Sequence, residues 1–190
     1  MSRSGDEVIA AIHGRRSTGK VLPEPIAREE VEELLAAAVR APNHHLTFPW
    51  RFVVLAGDAR REVGEAHARA VAAARPDHPP AGIEKEAARL ERAPVVIAVA
   101  VAGPDDPATA REDRDAVAAG VQNLLLAAHA RGLGAMWRSG AMVEEPEVRE
   151  ALGLADGDEL VGFVYLGRPA QEPPPRERPP LADVAVWRGW

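Results

Sequence analysis

Apolar residues in this chain fall into stripes, short dense runs and one long nearly unbroken stretch, and each pattern predicts a different element. Ser4-x-x-Glu7 reads as a capping box that opens a short helix through Ile9, Ile12 and His13, ending at Gly14. A second helix starts near Ala27. Glu29, Glu30, Glu32 and Glu33 crowd its first turns, where the helix dipole favours negative charge. Its apolar stripe is Val31, Leu34, Leu35, Ala38 and Val39, and Pro42 marks its end. Residues 50–55, rich in aromatic and β-branched side chains, read as a strand. Helical patterns follow at 58–74 and 83–92, divided by the proline cluster of 75–80. Residues 94–102 are apolar without alternation, the signature of a strand covered on both faces.

Residues 111–131 form the longest helical pattern. Its middle is apolar nearly all round, which predicts a buried helix and a candidate subunit contact. Gly132 and Gly134 close it. A short strand at 135–137, a helix at 145–152 and a strand at 160–167 come next. A Pro-rich arm, 168–180, leads to residues 181–190. Strands separated by one or two helices, without a regular βα repeat, indicate an α+β layer rather than a doubly wound sheet. No internal repeat or linker divides the pattern, so residues 1–190 read as one domain with 168–190 as its extended arm.

Composition narrows the function. The chain has 190 residues, 46% hydrophobic and 27% charged, a balance typical of a folded domain. The longest apolar run is too short to span a bilayer, and the first residues lack the apolar core of a secretory signal. A net charge of −6 disfavours a general nucleic-acid binder. There is no cysteine, which excludes disulfides, Cys-ligated metals and thiolate catalysis, and fits a cytoplasmic location.

Three segments carry candidate chemistry. Arg15, Arg16 and Ser17 follow the first helix and suit a phosphate or a polyhydroxylated chain, because guanidinium groups bind phosphate through forked, charge-assisted hydrogen bonds. The plainer alternative is a helix C-terminus that attracts Arg. His44 and His45 raise the question of a metal, yet adjacent histidines diverge and no His-x-x-x-His spacing occurs, so no metal site is assigned. A polar ligand contact by His44, or a capped loop, is favoured. Trp137-Arg138-Ser139-Gly140 follows a strand, and Gly140 lets backbone approach a flat ligand, although the segment alone slightly favours a plain strand-to-helix turn with Trp137 in the core. Nucleophile-elbow, P-loop and Gly-x-Gly-x-x-Gly patterns are all missing, so no catalytic side chain is assigned.

Taken in order, these segments resemble the FMN-dependent nitroreductase family, over roughly residues 6–188. Arg15-Arg16-Ser17 matches its N-terminal Arg-Arg-Ser. Pro42 to Trp50 matches a loop that usually ends Gln-Pro-Trp, although Phe48 replaces the Gln and Leu46 stands where Asn is common. Gln122-Asn123-Leu124 through Gly134 looks like its central dimer-forming helix. Gly167-Arg168-Pro169 and Arg176-Glu177-Arg178-Pro179-Pro180-Leu181 resemble its closing motifs. Trp137-Arg138-Ser139-Gly140, with Arg40 before Ala41-Pro42 and His44 after Asn43, is most similar to the small bacterial nitroreductases.

The resemblance implies a central, mostly antiparallel sheet flanked by helices, and a homodimer with FMN between subunits and exchanged C-terminal arms. It implies FMN contacts at Arg15, Arg16, Ser17, Arg40, His44, Trp137, Arg138 and Ser139, with the Gly140 N–H near flavin N5 and Arg176 and Arg178 at the phosphate. Gly19 departs from the pattern, since many relatives carry Lys or Arg there; Arg138 or Arg40 would supply that charge. The implied activity is ping-pong transfer of hydride from NAD(P)H through flavin N5 to a nitroaromatic, quinone or similar acceptor. Relatives also include flavin-cleaving enzymes, reductive dehalogenases and azoline oxidases. A cofactor-free dimeric interaction protein is the alternative of another class. Independently of the family, Val184 to Trp187 reads as a strand-like tip on a semi-rigid arm, suited to a partner's sheet edge or to folding back on its own subunit.

Overall fold

A computed structural model describes residues 5–104 and 106–190. Ser4, the expected cap, lies outside them. Four strands form the centre: β1 (Trp50–Ala56), β2 (Val95–Val101), β3 (Gly134–Arg138) and β4 (Glu159–Gly167). Their order across the sheet is β1-β2-β4-β3, and every strand pair is antiparallel. The helices are α1 (Gly5–Gly14), α2 (Arg28–Ala38), α3 (Ala59–Ala74), α4 (Pro80–Ala87), α5 (Ala110–Ala130) and α6 (Pro146–Ala151). The result is the α+β arrangement that the sequence pattern predicts.

Strand β2 is buried at every position, as its unbroken apolar run requires. Its side chains divide with a period of two. Val95, Ile97, Val99 and Val101 join one core with Val31 and Leu34 of α2 and Val117, Val121 and Leu124 of α5. Val96, Ala98 and Ala100 join a second core with Val63 of α3, Leu90, and Val148 of α6. The sheet is therefore the middle layer of three.

One irregularity in that division bears on function. In β4, Leu160 and Phe163 belong to the second core, whereas Val161 and Val164 belong to the first. The alternation is reset at Gly162, where the register against β2 shifts between Val99 and Ala100 and φ is 153°. This is a β-bulge, with an extra residue on β4 that turns the rest of the strand over. A Cβ at position 162 would sit 2.5 Å from the indole nitrogen of Trp137 and 2.6 Å from the Arg138 carbonyl. Glycine is what lets β3 lie this close.

Three details depart from the sequence pattern. Helix α4 starts at Pro80, which the proline cluster had placed in a loop; proline tolerates the first helical turn because its missing N–H has no partner there. The expected single helix of 83–92 breaks at Ala88 and continues as a 3₁₀ turn, Arg89–Arg92. Val184 to Trp187 is no strand in the single chain. The arm instead ends in a 3₁₀ turn, Leu181–Asp183, with Val186 86% and Trp190 98% exposed. Among the described residues this tip pairs with neither edge strand of the sheet, β1 or β3.

Candidate functional site

Residues 15–22 position the site. Thr18 N donates to the Ala135 carbonyl at 2.9 Å, which lays Ser17 parallel to the start of β3. Leu22 N donates to the Arg168 carbonyl at 2.8 Å, and Ala170 N donates to the Lys20 carbonyl at 3.1 Å. The segment is thus held between β3 and the root of the C-terminal arm. Where the arm crosses back, the three pieces enclose a cleft of about 530 Å³.

Seven residues marked from sequence line this cleft: Arg16, Ser17, Trp137, Arg138, Ser139, Arg176 and Arg178. They arrive from three separate stretches of chain. Arg15 is half-buried beside the cleft without lining it, and Gly140 lines a smaller pocket next to it. Arg40 and His44 lie on exposed surface elsewhere and do not line it. Arg16 also serves the plainer helix-end role. Its guanidinium donates to the carbonyls of His13, at the end of α1, and of Arg15.

The electrostatics of the cleft are one-sided. Arg16, Lys20, Arg138, Arg176 and Arg178 line it, and no carboxylate does. Among the described residues, Lys20, Arg138, Arg176 and Arg178 make no ion pair. In a chain of net charge −6, this concentration of unpaired cations favours an anionic ligand. The donors fit a phosphate ester of FMN's size: guanidinium and ammonium groups for phosphate, the Ser17 hydroxyl for a polyol, and Trp137, 39% exposed, as an apolar surface.

Lys20 is the residue that the sequence reading passed over. At Gly19 a Cβ would meet the Met136 methyl at 2.8 Å, the mobile end of a flexible side chain. The cation in the cleft stands one position later, at Lys20. Gln171, Pro173 and Pro174 close the cleft from the arm, where sequence offered no signal beyond proline content.

The loop after α2 corrects one sequence argument. His45, Leu46 and Phe48 all have positive φ, near 60°, 54° and 51°. This turns the adjacent His44 and His45 rings together, with centroids 3.9 Å apart, instead of letting them diverge. His45 Nε2 lies 3.6 Å from Glu112. The loop is held in this shape from within, because the Asn43 carboxamide bonds Thr47 and the Phe48 N–H, and Thr47 donates to the buried Asp113 of α5. Non-glycine residues at positive φ persist only when their surroundings over-determine them.

Known proteins share this arrangement. The profile described as Nitroreductase family matches residues 12–168. The Escherichia coli (strain K12) protein named "Putative NAD(P)H nitroreductase YdjA" is 33% identical over 164 residues, covering 86% of this chain and 88% of the relative. The Bacillus subtilis protein named "Putative NAD(P)H nitroreductase YfhC" is 30% identical over 177 residues, covering 90% and 89%. Among solved structures, a nitroreductase-like family protein from Bacillus cereus superimposes with a TM-score of 0.85 at 25% identity, over 100% of this chain and 98% of that one. A Desulfovibrio desulfuricans "putative nitroreductase in complex with FMN" gives 0.74 at 28% identity, over 100% and 99%. With the three-layer fold, the cationic cleft and these likenesses in agreement, the chain belongs to the nitroreductase family.

Proposed function

We propose that this protein is an FMN-dependent oxidoreductase that takes hydride from NAD(P)H and passes it to a nitroaromatic or quinone acceptor. The observation that carries the reading is the cleft in which five cations and no carboxylate surround the Trp137-Arg138-Ser139 segment. FMN, when bound, supplies the hydride-accepting ring; the protein supplies binding, orientation and electrostatics. Arg176 and Arg178 on the arm hold the phosphate, with Arg16 and Arg15 at the end of α1 adding to the positive potential. Ser17 bonds the ribityl chain. Trp137, Arg138 and Ser139 would border the ring system, with Gly140 next to them. Lys20 and Arg138 stabilise negative charge that develops on reduction, an effect strengthened where water is excluded. No side-chain nucleophile takes part.

The active form in this reading is a homodimer, in which the partner subunit completes the cleft. Arg40 and His44 are FMN contacts by resemblance and do not reach the cleft of their own chain, so they serve the cleft of the second copy. Edge strand β1 supports the same arrangement. Ile26, Val31, Leu35, Val54 and Val95, together with the ion-paired Arg28 and Glu32, line a mostly apolar groove of about 410 Å³ along it. The exposed apolar tip of the arm, Val184 to Trp187, matches that groove in chemistry and pairs with it across the dimer.

Steady-state kinetics on the purified protein test the reading. With NADH or NADPH and a benzoquinone varied together, parallel double-reciprocal lines are expected, because both substrates use one face of the flavin in turn. Intersecting lines, or no turnover with either nucleotide, would refute it.

A further inference from the structure

Beside the cofactor cleft lies a second, smaller pocket that shares part of its wall with the proposed cofactor contacts. It holds about 120 Å³, is bounded by Arg138, Ser139 and Gly140 on the cleft side, and reaches inward to Arg89, His67 and Tyr165. Arg138 and Ser139 form the wall shared by the two spaces. Its remaining surface is apolar, from Met142, Val143 and Phe163.

The polar groups of this pocket are arranged for an anion. Arg138 stacks over the Tyr165 ring, with its guanidinium carbon 5.8 Å from the centroid, and makes no ion pair among the described residues. Arg89 is held in place rather than left to swing. Its Nε donates to Glu86 at 2.6 Å and its Nη2 meets the same carboxylate, Glu86 also meets His67 Nε2 at 3.3 Å, and His67 Nδ1 lies 2.6 Å from Glu145. Glu86 and Glu145 do not line the pocket, so the buried His67 and its two carboxylates act as a mount behind Arg89. Burial pushes the Tyr165 phenol up, while Arg138, Arg89 and Arg92 pull it back down, which places three guanidinium groups within electrostatic reach of one hydroxyl. The phenol stays protonated and remains a donor.

We propose that this pocket receives the acceptor, and that the preferred acceptor is an aromatic ring bearing a carboxylate, bound by Arg89, Arg138 and the Tyr165 hydroxyl. This rests on the flavoenzyme reading above and adds the substrate class. The volume suits one ring end with its substituent, which leaves the reacting end of the acceptor toward the flavin face that the nicotinamide vacates. The apolar surface takes the ring, and the Arg138 guanidinium, the Arg89 N–H donors not engaged by Glu86 and the Tyr165 hydroxyl take the charge. Gly140, the residue assigned to N5, borders the same space, so a molecule held here lies next to the reacting position.

The test uses the FMN-loaded enzyme and two acceptors of matched size, 4-nitrobenzoate and 4-nitrobenzamide. The wild type is expected to favour the carboxylate in kcat/KM by about tenfold or more, the range of a charged hydrogen bond. Arg89→Gln is expected to bring the ratio close to one, and Arg89→Lys to keep most of it. Tyr165→Phe removes one donor without touching the Glu86 pair, and is expected to lower the ratio by a few fold. An equilibrium readout runs beside the kinetics: benzoate and benzamide are titrated into oxidised enzyme and followed through the flavin absorbance. Benzoate is expected to bind more tightly, with that advantage lost in Arg89→Gln. Equal treatment of the two acceptors by the wild type, or a preference that survives Arg89→Gln, would overturn the assignment while leaving the flavoenzyme reading intact. A protein that binds no FMN would overturn that reading, and this inference with it.

Discussion

Substituting Gly162 by Ala tests whether the bulge in β4 sets the shape of the cofactor cleft. Gly162 does not line the cleft, so a loss of FMN would have to travel through Trp137 and Arg138. An alanine Cβ would begin 2.5 Å from Trp137 Nε1 and 2.6 Å from the Arg138 carbonyl, with φ at 153°. Restoring ordinary contact requires roughly 1 Å of movement, given carbon contacts of about 3.5 Å. The backbone cannot yield easily, because β3 and β4 are paired from Gly134↔Gly167 to Arg138↔Phe163. The unfavourable φ costs about 1–3 kcal/mol in stability. The displaced indole and carbonyl are expected to weaken FMN binding by about tenfold, the loss of roughly 1.4 kcal/mol of contact energy. Quenching of FMN fluorescence on titration measures the second effect, and thermal unfolding of the apoprotein measures the first. A Gly162→Ala protein with native far-UV circular dichroism, unchanged melting temperature and unchanged FMN affinity would refute the reasoning.

Three further outcomes are expected. The double substitution Arg176→Ala/Arg178→Ala removes two unpaired cations from the cleft and should raise the FMN dissociation constant by more than about tenfold by equilibrium dialysis, since each charged hydrogen bond is worth about 1.5–3 kcal/mol; an unchanged constant would remove the arm from the site. Deleting residues 182–190 should shift sedimentation at micromolar concentration toward monomer, and an unchanged profile would count against arm exchange. For Glu86, burial pushes the carboxyl up, but Arg89 and then His67 outweigh it and hold it below its ordinary value of 4.5. A lowered folded-state value stabilises the fold above the unfolded value, and that contribution is lost as pH falls through the folded one. Glu86→Gln should therefore lower the melting temperature at pH 7, by the equivalent of about 1 kcal/mol, with the gap to wild type closing below about pH 4; a constant gap would remove the carboxylate from the account.

The elements legible in the sequence were those with strong periodicity. The unbroken apolar run of β2 announced a strand covered on both faces, and the 3.6-residue stripe of α2 announced its buried side. The bulge at Gly162 was not legible, because Leu160 to Leu166 is apolar throughout and a change of facing leaves no mark in such a run. The start of α4 was hidden by Pro79 and Pro80, which signal a loop and a helix N-terminus equally. The turn of the exposed His45 ring onto His44 depends on bonds from Asn43 and on Thr47 meeting Asp113, 66 residues away, which no local pattern encodes. At the site, the arginines near the cleft were found because they sit in short motifs. Lys20 belongs to no motif, and only the fold, which brings residues 15–22 against β3, places it in the cleft. Arg89 and Tyr165 carry no motif; the fold alone brings them to Arg138.

The most direct test of the central claim is the visible spectrum of the purified protein reconstituted with FMN, recorded without oxygen before and after adding NADH or NADPH. A bound flavin spectrum that bleaches with one or both nucleotides, and returns when a quinone is added, is what the account predicts. A protein that does not retain FMN, or whose bound flavin stays oxidised with both nucleotides, would contradict it.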